Sequence, residues 1–166
     1  MIRPIFTFPD PVLKQKAAPI TVITDEIRQL ARDMAETMYD APGVGLAAPQ
    51  IGVLQRLIVI DVAAKDEAPQ LITAINPVII QGEGEVYEEE GCLSVPDFSA
   101  NVRRYETVVV KALSLEGQER VWQADGLLAI AFQHEIDHLE GTLFVDRLSP
   151  LKRELFLKKS KKRSSS

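Results

Sequence analysis

QHEIDH, at residues 133–138, lies within an apolar run that extends from Leu127 to Leu143. Residues four apart share one face of a helix, so His134 and His138 can bind one metal ion, with Glu135 beside it as general base. A helix that is apolar nearly all round is buried, and burying these polar groups is costly unless a partner such as a metal ion satisfies them. The stretch predicts a central metal-binding helix, although H-E-x-x-H also occurs by chance on ordinary helices.

The composition is typical of a single soluble globular domain over residues 1–166, with 46% hydrophobic and 26% charged residues. No run approaches the roughly 18 apolar residues of a membrane span, and the opening MIRPIFTFPD has no long apolar core. We therefore expect neither a membrane segment nor a signal peptide. Cys92 is the only cysteine, which excludes an internal disulfide framework and is typical of a reducing cytoplasm.

The net charge of −5 conceals an asymmetry between the body and the tail. Residues 151–166 contain seven basic residues and one acidic residue, whereas residues 1–150 contain 12 basic and 23 acidic residues. A basic helix and tail from about residue 149 could contact RNA phosphates. A frayed, solvated terminus explains the same composition.

The pattern along the chain predicts an α+β fold with mostly antiparallel sheets packed around the central helix. A first helix is expected from Asp25 to about Tyr39, capped at Thr24–Asp25, and a last helix from Ser149–Pro150. We expect Leu151, Leu155 and Phe156 to dock the last helix. Strands are predicted at 56–62, 70–81, 86–90, 101–114 and 119–124, with a loop at 90–96.

GVGLAAPQ, at residues 43–50, is similar to the start of a dinucleotide-binding fingerprint, but that fingerprint follows a strand and opens a helix. Here a predicted helix precedes it and Pro49 blocks helix propagation, so we reject nucleotide binding. Two explanations remain open. The segment is either a tight packing turn or a loop whose backbone closely approaches a ligand.

The third metal ligand has two candidates. A three-histidine site is excluded because Phe144 occupies the last histidine position of that pattern. Glu154 lies in basic, exposed-looking surroundings, whereas Cys92 follows a strand in a loop that could reach the helix. A lone cysteine can also be a small buried hydrophobe. A structural zinc site needs four protein ligands, so three favour an open catalytic site.

Three segments together resemble the signature motifs of the peptide deformylase family: GVGLAAPQ (43–50), EGCLSVP (90–96) and QHEIDHLEG (133–141). Their order and spacing also match, and the resemblance covers essentially the whole chain. It implies a cytoplasmic, bacterial-type metallohydrolase that removes the formyl group from N-formylmethionine on nascent polypeptides. It also implies Cys92, His134 and His138 as ligands of one divalent metal per chain, usually Fe(II) in the cell, with Zn(II), Ni(II) or Co(II) able to replace it.

The same resemblance assigns catalytic and substrate-binding roles. Glu135 would move the proton, and the side-chain amide of Gln50 with the backbone N–H of Leu93 would stabilise the oxyanion. The positions expected to bind the substrate are Gly43, Val44, Gly45, Glu90, Gly91, Leu127, Ile130 and Ala131. Of these, Val44, Leu127, Ile130 and Ala131 could form an apolar wall for the methionine side chain, although core packing would also explain Leu127 and Ile130.

Several questions stay open from the sequence. Arg104 could pair with Glu90, or both could be solvated surface charges. In related enzymes the C-terminal helix docks on the ribosome, so the basic tail could do so here; no DNA partner is expected. An H-E-x-x-H peptidase that uses Glu154, or a ribosome- or RNA-binding module with an incidental metal, are the alternative functions.

Overall fold

The computed structural model describes the backbone of residues 1–165 and the side chains of residues 1–162. The helices are α1 (Asp25–Asp40), α2 (Gly126–Leu139) and α3 (Pro150–Ser165), with short 3-10 turns at Pro11–Lys14, Ala48–Ile51 and Phe144–Arg147. The strands are β1 (Gly45–Ala47), β2 (Leu57–Ile60), β3 (Ile72–Glu83), β4 (Val86–Cys92), β5 (Val95–Arg104), β6 (Thr107–Leu113) and β7 (Glu119–Asp125).

Two antiparallel sheets frame the central helix. One has five strands in the order β1-β2-β3-β6-β7, and the other is the β4–β5 hairpin. Side chains of β2 alternate between two core clusters: Ile58 and Ile60 pack with α2 residues such as Phe132, whereas Leu57 and Val59 pack with α1. Because β2 is covered on both faces, its sequence is continuously apolar. This arrangement confirms the predicted α+β fold.

The ends of the helices follow the sequence signals. Thr24 caps α1, and its Oγ1 accepts a hydrogen bond from Ile27 N at 3.3 Å. The chain leaves α2 through Gly141, which has φ +74°. A Cβ at Gly141 would lie 2.5 Å from the carbonyl oxygen of Lys14, so the N-terminal segment can pass directly beneath the end of the helix.

Two strand predictions were wrong. The expected loop at 90–96 is the tip of the hairpin, since β4 runs to Cys92 and β5 begins at Val95. The single strand expected over 101–114 is two strands, separated at Tyr105–Glu106. At this break the side chain of Gln133 replaces the missing strand pairing: it accepts a hydrogen bond from Tyr105 N at 2.8 Å and donates one to Tyr105 O at 3.0 Å. Residues 43–50, for which the sequence left a tight turn or a loop open, contain β1 and a 3-10 turn.

The last helix docks through fewer residues than expected. Phe156 is buried and its ring centroid lies 4.9 Å from those of both Phe8 and Phe98. Leu151 and Leu155 are 67% and 55% exposed, so the prediction that they dock the helix was wrong. Side chains of the basic tail beyond residue 162 lie outside the described residues. Among the described helices, none is long and apolar enough to cross a membrane.

Candidate active site

Helix α2 and the tip of the β4–β5 hairpin bring three possible metal donors together. His134 and His138 lie one turn apart on α2, with ring centroids separated by 5.0 Å. Cys92 ends β4 at an irregularity in the hairpin register, and its Sγ lies 3.4 Å from His138 Nε2. Donor atoms of the three residues all lie within 4.8 Å of one another. These are the three residues that the family resemblance implied as metal ligands, and the fold brings them together.

The chemistry of this donor set fits a divalent metal ion. One thiolate and two imidazoles are ligands that several first-row metals accept, and three protein donors leave a position for water or substrate. Glu135 lies beside them with only 4% of its surface exposed, and its Oε1 has no hydrogen-bond partner among the described residues. A buried carboxylate oxygen without a partner is costly, and a water molecule at the open metal position would supply one.

The imidazole of His134 is oriented by a buried ion pair. Its Nδ1 lies 2.9 Å from Oε1 of Glu90. Arg104 donates to both oxygens of that carboxylate, at 2.7 Å from Nε and 2.8 Å from Nη2. Burial opposes the charge on Glu90, but the bonds from Arg104 and His134 prevail and lower its pKa to about 2. The Glu90–Arg104 pair left open by the sequence therefore exists and is buried, and a carboxylate at Nδ1 leaves Nε2 available to a metal.

Two more arginine contacts extend this pair back to α2. Arg104 Nη1 donates to Oδ2 of Asp137 at 2.7 Å, and Arg147 contacts the same aspartate at 2.6 Å (Nε to Oδ2) and 2.7 Å (Nη2 to Oδ1). Neither Asp137 nor Arg147 was predicted from the sequence as a site residue. On the sequence they look like surface charges, and the signal for Asp137 is its position three residues after His134, on the same face of the helix.

The environment of Glu135 is that of a proton-transfer group. Burial raises the pKa of its carboxyl to about 7, with the charge of His134 opposing and that of Glu90 adding to the shift. A carboxyl with a pKa near neutrality exchanges protons efficiently at physiological pH. Before metal binds, burial and the charge of His134 lower the pKa of His138 well below its ordinary value. For His134, burial favours the neutral ring but the neighbouring Glu135, Cys92 and Glu90 outweigh it, so that its pKa is raised.

Gly45 explains why the β1 segment is rich in glycine. A Cβ at this position would lie 2.5 Å from Oε2 of Glu135 and 2.9 Å from its Cδ. A Cβ at Gly43 would lie 2.8 Å from Cδ1 of Leu93. Close packing thus accounts for both glycines, and because both also line the main cavity, the second explanation for GVGLAAPQ, a backbone that approaches a ligand, stays a prediction.

Gln50 is held with its amide directed at the hairpin. Its Oε1 accepts from Ala47 N at 2.9 Å, which fixes which end of the amide faces the site. Its Nε2 donates to Ser94 Oγ at 3.0 Å and lies 3.6 Å from Cys92 Sγ. Leu93 occupies the turn between Cys92 and Ser94, so both proposed oxyanion donors flank the cysteine. Ser94, which is fully buried and holds the amide of Gln50, was not predicted from the sequence.

A cavity of about 450 Å³ opens in front of these groups. Ile130 and Ala131 are buried in its wall, whereas Leu127 and Val44 are 54% and 45% exposed at the cavity. The predicted site residues that line it are Gly43, Val44, Gly45, Gln50, Glu90, Gly91, Cys92, Leu93, Leu127, Ile130, Ala131, His134 and Glu135. Glu154 has a side chain that is 64% exposed and pairs with Lys158, outside the donor cluster, so the structure does not support it as the third ligand.

A thiol and two H-E-x-x-H imidazoles beside a buried carboxylate, at the end of an apolar cavity, define a metallohydrolase that acts on a carbonyl group. The family model of polypeptide deformylase matches residues 2–154, and the chain belongs to that family. A peptide deformylase of Acidobacterium capsulatum is 53% identical over 162 residues, which cover 98% of this chain and 95% of that protein.

Solved structures agree with the sequence comparison. A peptide deformylase from Legionella pneumophila superimposes with a TM-score of 0.92 at 47% identity, covering 99% of this chain and 96% of that one. The enzyme from Synechococcus elongatus in complex with actinonin gives 0.90 at 43% identity, covering 95% and 87%. Peptide deformylases are metallohydrolases that remove the N-formyl group from nascent peptides, and this chain is such an enzyme.

Proposed function

We propose that Cys92, His134 and His138 bind one Fe(II) ion, and that the surrounding residues use it to hydrolyse the formyl amide of N-formylmethionyl peptides. The observation that carries the proposal is the cluster of three donor atoms within 4.8 Å beside the buried carboxylate of Glu135. When bound, such an ion lowers the pKa of a water molecule from 15.7 to about 7 and polarises the carbonyl. Zn(II), Ni(II) and Co(II) suit the same donors.

Glu135 would accept a proton from the attacking water and deliver it to the leaving nitrogen. Its pKa of about 7 supports both steps, because the group is then neither too weak a base nor too weak an acid at neutral pH. The negative charge that develops on the formyl oxygen needs donors at fixed positions. Gln50 Nε2 and the backbone N–H of Leu93 would supply them, since Ala47 and Ser94 already hold the amide of Gln50.

The methionine side chain would occupy the apolar part of the cavity. Ile130 and Ala131 would form its buried wall, and the more exposed Leu127 and Val44 would complete the lining. Gly43, Gly45, Glu90 and Gly91 would border the peptide. Glu90 would act mainly through His134, because its side chain is only 4% exposed. An unbranched thioether fits such a wall without leaving a polar group unsatisfied.

The decisive experiment measures formate release from formyl-Met-Ala-Ser with protein purified without oxygen, and metal content on the same sample. We expect rapid, chelator-sensitive release with about one metal per chain. Glu135→Gln should keep the metal and lose most of the roughly hundred- to ten-thousandfold contribution of proton transfer, whereas Cys92→Ala should lose tight metal binding. A fully metallated protein that releases no formate would refute the proposal.

We further propose that the whole chain, residues 1–166, is one catalytic domain that works in the cytoplasm, with α3 contacting the ribosome. The exposed Leu151 and Leu155, together with the lysines of α3, support this contact because apolar and basic groups of this kind can bind a ribosomal surface rich in RNA phosphates. Removal of residues 151–166 should reduce co-sedimentation with ribosomes. Unchanged co-sedimentation would refute the contact without affecting the proposed reaction.

A further inference from the structure

The two elements that supply the metal donors belong to different parts of the fold. His134 and His138 come from α2, which packs on the five-stranded sheet, whereas Cys92 comes from the separate β4–β5 hairpin. No ladder of backbone hydrogen bonds joins the two sheets within residues 1–165. Side chains must therefore fix the separation between the cysteine and the histidines. A site built from three donors loses affinity when that separation varies.

A closed ring of charged side chains makes this connection. It starts at His134 on α2, crosses to Glu90 on β4 at 2.9 Å, continues to Arg104 on β5 at 2.7 and 2.8 Å, and returns to α2 through Asp137 at 2.7 Å. Within the ring, the Arg104–Glu90 contact is bidentate, a geometry that fixes orientation as well as distance, and Arg104 adds a single hydrogen bond to Asp137. The ring therefore ties the hairpin to the helix at two points three residues apart.

We propose that Asp137 is a positioning residue for the metal centre, and that Arg147 holds the Asp137 side chain in place from the solvent side. The carboxylate of Asp137 is not one of the three donors and does not line the main cavity, so it acts through Arg104, Glu90 and His134. Its carboxylate is 14% exposed and is held by Arg147 on the solvent side and Arg104 on the inner side. The inference rests on the proposed function, because it assigns a role at the same three-ligand site.

Replacement of Asp137 would release Arg104 from one of its two carboxylates. Arg104 is itself 3% exposed, and a buried guanidinium that loses a partner shifts to recover one. Such a shift would turn the Glu90 carboxylate, and with it the imidazole of His134. Second-layer partners of this kind typically contribute ten- to a hundredfold to metal affinity.

The test is a measurement of Co(II) affinity on the full-length chain, by competition with a chromogenic chelator, together with the visible spectrum of the Co(II) protein. We expect Asp137→Asn to weaken Co(II) binding ten- to a hundredfold and to change the ligand-field bands. Arg147→Gln should have a smaller effect in the same direction. In the Asp137→Asn background, Arg147→Gln should have almost no further effect, because Arg147 acts only through the Asp137 carboxylate.

A matched control separates positioning from general destabilisation. Asp33 on α1 is 2% exposed and is held by Arg3 at 2.8 Å, so its replacement by Asn should lower the melting temperature without changing Co(II) affinity. Wild-type affinity and spectrum in Asp137→Asn would overturn the inference and leave the proposed function intact, as would equal losses in both variants. A wild-type protein that binds no Co(II) would overturn both.

Discussion

Gly45→Ala tests the contact between β1 and the catalytic carboxylate. The added Cβ would lie 2.5 Å from Oε2 of Glu135, and ordinary contact begins near 3.4 Å, so one of the two groups must retreat by about 0.9 Å. Strand β1 cannot move easily, because Gly45, Leu46 and Ala47 pair with Ile60, Val59 and Ile58 of β2. The displacement falls on the glutamate side chain.

The magnitude follows from what that carboxylate does. A displacement of about 1 Å in a reacting group can cost on the order of a hundredfold in rate. Complete loss of proton transfer would cost about a hundred- to ten-thousandfold. We therefore expect kcat of Gly45→Ala to fall about a hundredfold, with one metal still bound, because Glu135 is not among the three donors.

The assay is the initial rate of formate release over a range of formyl-Met-Ala-Ser concentrations, on samples of known metal content. Gly91→Ala is the comparison, since it changes a glycine of the same cavity but the nearest atom to its Cβ, Phe98 O, lies 4.0 Å away. Its loss should be far smaller. If Gly45→Ala keeps kcat within about threefold of wild type while fully metallated, the reasoning from the Glu135 contact is wrong.

Three further results are expected. The pKa of Glu90 is about 2, below its ordinary value of 4.5, so its carboxylate stabilises the fold by about 3 kcal/mol above about pH 4.5. This contribution is lost as the pH falls toward 2. Glu90→Gln should therefore flatten the pH dependence of the free energy of unfolding in denaturant titrations. Phe156→Ala should cost about 3–5 kcal/mol of stability by emptying the buried contact of α3, whereas Leu151→Ala, at a position 67% exposed, should change stability by less than about 0.5 kcal/mol. Gly141→Ala should lower the melting temperature, because it combines φ +74° with a contact of 2.5 Å to Lys14 O.

The spacing of apolar residues was sufficient to predict helices α1 and α2, and which residues of α1 are buried. The apolar positions of α1, from Ile27 to Met38, are buried as the spacing predicts, and α2 is the central helix that the H-E-x-x-H stretch indicated. Both predictions depend on local pattern alone. The thiol and imidazole donors could also be found from the sequence, because the chain contains one cysteine and two histidines.

The start of β5 could not be predicted from the sequence pattern. Residues 95–100 contain a proline and two polar residues, which on an ordinary strand would argue against sheet structure. They are tolerated because, within residues 1–165, β5 pairs only with β4, so its other edge needs no regular ladder. Gln133 likewise gives no sign in the sequence that it will bond the backbone of Tyr105, where the chain passes from β5 to β6.

The charged ring shows why single charges in a sequence are hard to interpret. Glu90, Arg104 and Asp137 are each ordinary surface residues by composition, and only their meeting in the fold makes them part of the site. Arg104 in particular would lower the pKa of Glu135 and weaken it as a base if it were unpaired. Because Glu90 and Asp137 both raise that pKa, they offset the arginine, and burial can hold the carboxyl near 7. The ring thus orients His134 while it shields the proton-transfer group from the charge that does the orienting.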